Sequence, residues 1–205
     1  MECAADYIAA GKDIVIALSA AAAAFFAYLG ISAWRKELKG KAEYIHAKDL
    51  MKTVYKVREA FKTARNPLIF TYEYPDETVD QHGQLKNENK QEGMKGVYRK
   101  RLGNLDDAFA ELEERHLEAQ VEWGPGLEQL IRPLRECRVK LLVAVKMMLL
   151  RIENPRLDFD EKEVEKNGTI LYSTGNDADE NFFTRQINDA INNFEKEFRK
   201  YIGQC

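Results

Sequence analysis

Two Glu-x-x-His steps, Glu43…His46 and Glu113…His116, hold the residues whose types and spacing could do chemistry. Positions i and i+3 of a helix share a face, so each step could place a carboxylate and an imidazole on one metal ion. Di-iron and di-manganese carboxylate bundles use two such steps together with two further glutamates. Here Glu136 and either Glu195 or Glu197 would fall near the same level if the helices that carry them run antiparallel. Against this reading, His46 and Glu113 flank their apolar seams instead of pointing inward, and glutamate is common throughout the chain. Glu43, His46, Glu113 and His116 are therefore metal candidates only, and no metal, cofactor or catalytic residue is expected.

Other chemistry is absent from the sequence. No phosphate-binding glycine loop, nucleophile elbow or H-E-x-x-H occurs. Of the three histidines, His82 lies in a polar stretch. The three cysteines, Cys3, Cys137 and Cys205, form no C-x-x-C pair, which argues against a zinc site or a disulfide framework. A net charge of −3 gives no electrostatic basis for a nucleic-acid partner, and no small-molecule substrate is identified.

The elements that position these residues begin with an apolar run. Ile14 to Ala33 carries no charge and would rise about 30 Å as a helix, the thickness of a bilayer core. Trp34 stands where an indole prefers the headgroup level, and Arg35, Lys36, Lys39 and Lys41 come directly after it. The acidic start (Glu2, Asp6, Asp13) is wrong for a cleaved signal peptide. These flanks also favour an anchor over a buried core helix. The basic side is expected in the cytoplasm. Residues 1–13 would then be extracytoplasmic, 14–34 the span and 35–205 a cytoplasmic bundle. Rows of small residues (Ser19, Ala23, Ala27) would permit self-association of spans, or an oligomeric pore.

Downstream, 3–4 spacing predicts four amphipathic helices. Their seams are Ala47–Ala64, Tyr98–Trp123, Leu127–Met148 and Phe183–Tyr201. Asn66-Pro67 and Asn154-Pro155 should stop the first and third. Gly124-Pro125-Gly126 should turn the chain between the second and third, and an Asp177/Glu180 capping box should open the last. Residues 67–95 read as a polar, flexible insert with an apolar, anchored beginning, PLIFTYEY. Residues near 163–173 read as a small hairpin around Asn167-Gly168, or as a loop. Acidic residues on the second helix (Glu111, Glu113, Glu114, Glu118, Glu122) should face basic ones on the third (Arg132, Arg135, Arg138, Lys140). The expected fold is all-α: a transmembrane helix continuing into an antiparallel, coiled-coil-like bundle whose far end stands about 45 Å from the bilayer.

The segments WRKELKGKAEY (34–44) and VYKVREAFKTARNP (54–67) resemble uncharacterised bacterial single-span proteins with a Trp-basic-x-x-Leu-x-Gly joint. The resemblance covers residues 14–70, and Tyr44-Ile45-His46-Ala47 replaces the Tyr-Glu-x-Ala of that pattern. It implies a bacterial inner-membrane protein and carries no activity. The functional expectation is a membrane-tethered, non-enzymatic interaction or scaffold module, partnered by the bilayer and by a protein or a second copy. A carboxylate-bridged, oxidoreductase-like bundle is the alternative.

Overall fold

The computed structural model describes residues 2–82, 84–156, 160–173 and 181–203. Among them the chain is helical, with five α-helices: α1 (Glu2–Ala64), α2 (Lys90–Trp123), α3 (Glu128–Glu153), α4 (Glu161–Leu171) and α5 (Phe182–Ile202). The chain divides into two compact units, Met1–Ile45 and His46–Cys205.

The first unit is the leading part of α1. From Leu18 the helix is long and apolar enough to cross a membrane, and none of its apolar window is buried. Phe25, Phe26, Tyr28, Leu29, Ile31 and Trp34 all point outward. Large apolar side chains left in water along a whole helix give up the burial energy that ordinarily stabilises one, about 1.5–3 kcal/mol each. A helix exposed on all sides in this way is suited to a lipid surround.

The second unit is a bundle in which the trailing part of α1 shares one core with α2, α3 and α5, and α4 lies along α3. The predicted seams form its core: Leu50, Val54, Val57 and Phe61 from α1; Leu105, Phe109 and Leu112 from α2; Ile131, Leu134 and Leu141 from α3; Ile187, Phe194 and Phe198 from α5. Phe61 meets Phe109 edge-to-face at 5.8 Å, and Trp123 packs on Phe198 at 5.2 Å. Arg138 pairs with Asp106 and Lys95 with Glu153, which sets α2 and α3 antiparallel, and Lys56–Glu111 together with Phe61–Phe109 sets α1 and α2 antiparallel. α5 runs opposite to α1: Tyr55 donates to Glu195 at 3.0 Å while Arg65 reaches Thr184 at its start.

The helix stops agree with the sequence signals. α1 ends just before Asn66-Pro67, and α3 just before Asn154-Pro155. Gly124 takes φ 94°, the left-handed region that glycine tolerates, and turns α2 into α3. Pro133 lies inside α3. The expected Asp177/Glu180 capping box lies outside the described residues. At the described start of α5, Asn181 Oδ1 accepts from the Thr184 N–H at 3.0 Å.

Two expectations are corrected. Residues 163–171 belong to the helix α4, not to a hairpin or loop, and Tyr172 and Ser173 follow it: Asp160 caps it by accepting from the Lys162 N–H, and Glu161 and Glu163 suit its positive end. The expected insert over 67–95 is also shorter, because its last residues belong to a helix. α2 begins at Lys90, and the chain before it is pinned onto that helix. Val79 pairs with Leu85 in an isolated antiparallel bridge, with Asp80 N–H donating to Gln84 O at 2.8 Å and Lys86 N–H to Thr78 O at 3.0 Å. Gly93 and Gly96 make room for it: a Cβ on Gly96 would come within 2.2 Å of Pro75 Cγ, and one on Gly93 within 2.4 Å of Leu85 Cδ1. The expected charge match between α2 and α3 is present in part. Arg135 takes Glu113 and Arg138 takes Asp106, but Glu111 turns to α1 and Arg132 stays on its own helix with Glu136.

Candidate functional site

The sequence-derived metal candidates are engaged elsewhere or set apart. Glu113 is clamped by Arg135, whose Nε and Nη2 donate to its two oxygens at 2.6 and 2.5 Å. That guanidinium holds the carboxyl below its ordinary range. Arg135 also bonds Glu128. His116 is buried; its Nε2 lies 3.2 Å from Gln120 Nε2 and 3.5 Å from Glu128 Oε2, and Nδ1 has no partner among the described residues. Burial depresses the His116 pKa more than Glu128 raises it, so the ring is neutral at pH 7. His46 is exposed, and Glu43 sits 3.7 Å from Lys39 one turn earlier. Among the described residues no three His, Cys, Asp or Glu side chains converge on one point. Of the residues proposed to meet the membrane interface, Trp34 is 60% exposed, and Arg35, Lys36, Lys39 and Lys41 are exposed beside it.

The densest polar chemistry is at the end of the bundle where α1 stops, and it centres on two buried arginines. Arg101, on α2, is 2% exposed. Its Nε and Nη2 grip Glu73 at 2.6 and 2.9 Å, while Nη1 donates to Asn66 O and Nη2 to Leu68 O, both at 2.6 Å. One side chain thus satisfies two loop carbonyls and a carboxylate, and pins residues 66–73 to α2. Glu73 in turn accepts from the Phe70 N–H, and with Arg101 this keeps its carboxyl charged to unusually low pH. The consequence lies outside: Phe70 and Tyr72 stack in parallel at 5.6 Å and, with Leu68, remain exposed (47%, 75% and 65%).

Arg65, the residue after α1, is also 2% exposed. Nε donates to Ile170 O at 2.7 Å, Nη2 to Thr169 O and Tyr172 O at 3.1 and 3.2 Å and to Asn181 Oδ1 at 3.3 Å, and Nη1 to Thr184 Oγ1 at 2.9 Å. Its own carbonyl accepts from the Ser173 N–H. The guanidinium therefore closes the carbonyl end of α4 and ties it to the start of α5; a helix C-terminus favours a cation. It also lies over the Phe183 ring at 4.8 Å. Burial lowers its pKa to about 10, so it stays charged at neutral pH.

Beside Arg65 opens a cavity of about 450 Å³. Arg58 and Lys62 stand on its α1 wall, Leu68 and Ile187 supply apolar surface, and Thr184 and Asn188 supply hydrogen-bonding groups. Sequence reasoning missed both arginine centres. Their partners lie 28–35 residues away for Arg101 and 104–119 for Arg65, beyond any local pattern. Comparison with protein-family models, with curated proteins and with solved structures finds no match.

Proposed function

We propose that this chain is a membrane-anchored, non-enzymatic helical bundle that presents its far end to a protein partner. The observation that carries the anchor is the apolar stretch of α1 from Leu18, whose side chains are all exposed and which leads into Arg35, Lys36, Lys39 and Lys41. Burying such a helix in lipid recovers the apolar energy that water denies it. The basic flank favours the cytoplasm for the bundle on its C-terminal side. On this reading the protein sits in a bacterial inner membrane with its N-terminus outside and residues 35–205 inside.

The partner surface is the patch of Leu68, Phe70 and Tyr72. Apolar side chains on a free loop would fold back or fluctuate; these are held outward by the buried Arg101–Glu73 pair. Fixed exposed aromatics lose little conformational entropy on binding, which is what an interface anchor requires. A photo-crosslinking residue at Tyr72 in cells should capture one discrete partner band. Substituting Leu68→Ser and Phe70→Ser should abolish that band while leaving membrane location and helix content unchanged. A band that survives both substitutions rejects this surface.

A further inference from the structure

We infer that the cavity beside Arg65 is a binding site for a small organic anion, a carboxylate or phosphate monoester carried on a compact apolar body. This site shares Leu68 with the proposed partner surface but neither Phe70 nor Tyr72, and it does not depend on the membrane reading.

The first observation is a row of charge. Arg58, Lys62 and Arg65 stand at i, i+4 and i+7 of the α1 line, so three cations share one face and border one cavity. One carboxylate, Glu59, serves two of them, accepting from Arg58 Nε and Lys62 Nζ at 3.0 Å each. Like charges one turn apart oppose helix formation, so the row stands against local preference.

The second observation is the state of Arg65. Every acceptor it has among the described residues is a neutral oxygen: three backbone carbonyls, an amide oxygen and a hydroxyl. A buried cation ordinarily has a carboxylate to compensate the loss of water. The end of α4 supplies only the partial charge of a helix dipole. Nη1 carries two hydrogens and, among the described residues, makes one hydrogen bond, to Thr184, which lines this same cavity. An anion seated there would complete the guanidinium and meet Lys62 and Arg58 at the rim.

The third observation is the lining. Phe61, Pro67, Leu68 and Ile187 give the cavity an apolar floor, and about 450 Å³ lies within the usual range for small-ligand sites. A bare inorganic ion would leave that floor unfilled. A neutral apolar molecule would leave the cations unanswered.

Photoaffinity labelling of the purified full chain tests this, with 4-azidobenzoate as the probe. The expected result is saturable labelling, mapped by mass spectrometry to residues 58–68 or to Thr184–Asn188. Benzoate and phenyl phosphate should displace the probe, and benzyl alcohol should not. Arg58→Gln with Lys62→Gln should reduce labelling about tenfold, the effect of removing charge partners from an anion site. Arg58 and Lys62 reach the surface, and circular dichroism should show the double variant folded. Labelling that does not saturate, that maps elsewhere, that survives the double substitution, or that benzyl alcohol displaces equally well overturns the inference.

Discussion

Arg65 and Arg101 show how a single side chain replaces the secondary structure that a segment lacks. Removing Arg65 takes the side-chain donor from Ile170 O and one of the two donors of Thr169 O and Tyr172 O, which Asn181 Nδ2 also serves. Arg65→Met should therefore destabilise the bundle by about 1–3 kcal/mol in urea unfolding, from the Ile170 carbonyl and the lost tie to Thr184 of α5. Glu73→Gln should lower stability by about 1–3 kcal/mol at neutral pH, because its charged hydrogen bonds to Arg101 weaken. The pH dependence has a definite sign. The folded pKa of Glu73 is depressed below its ordinary 4.5, so its contribution is complete above 4.5 and is lost as pH falls through the folded value. The gap between wild type and Glu73→Gln should close in acid; a gap constant from pH 7 to pH 3 would contradict the pairing. His116 acts at a higher pH. Burial keeps it neutral, so the unfolded chain takes up a proton first as pH falls through 6.5, and stability declines there. His116→Gln should flatten that part of the profile.

At the level of elements, what was legible came from periodicity and what was not came from long-range contacts. The seams of α1, α2, α3 and α5 could be read because apolar spacing is local, and Pro67, Gly124 and Pro155 marked their ends. α4 was misread because Asn167-Gly168 is a turn signal. Its helix stands because Asp160 caps one end and Arg65, far earlier in the chain, closes the other. The contacts of the segment before α2 were hidden for a related reason: its polar composition shows nothing of Arg101 and of the two glycines against which it packs. The row Arg58, Lys62, Arg65 was visible as a spacing, but nothing local showed that it borders a cavity. The glycines provide a controlled test within one helix. Gly96→Ala would drive a methyl into Pro75 and should cost about 1–3 kcal/mol. Gly103→Ala meets nothing within 4 Å and should stabilise α2 by about 0.5–1 kcal/mol. If the two substitutions act alike, the segment does not pack on α2 as described.

The molecule as a whole joins an apolar helix with no protein covering to a bundle with a complete core of its own. The bundle's charge pairs link α1, α2 and α3, its aromatic contacts join α2 to α5, and its two buried arginines organise one end. The bundle draws its core from its own helices, whereas the apolar window of the helix before it is unburied among the described residues. The central claim is that the chain is anchored once, with its N-terminus outside. The native cysteines can report it directly. Cys137 is buried and its thiol is pushed up to about 11, so it should stay silent, while Cys3 and Cys205 flank the two units in sequence. The decisive measurement is labelling of reduced, intact bacterial cells with a membrane-impermeant maleimide, with fractionation afterwards. The predicted result is a protein that stays with the membranes after alkaline carbonate washing, labelled at Cys3 in intact cells and at Cys205 only after lysis. A soluble protein, or one labelled at Cys205 before lysis, would contradict it.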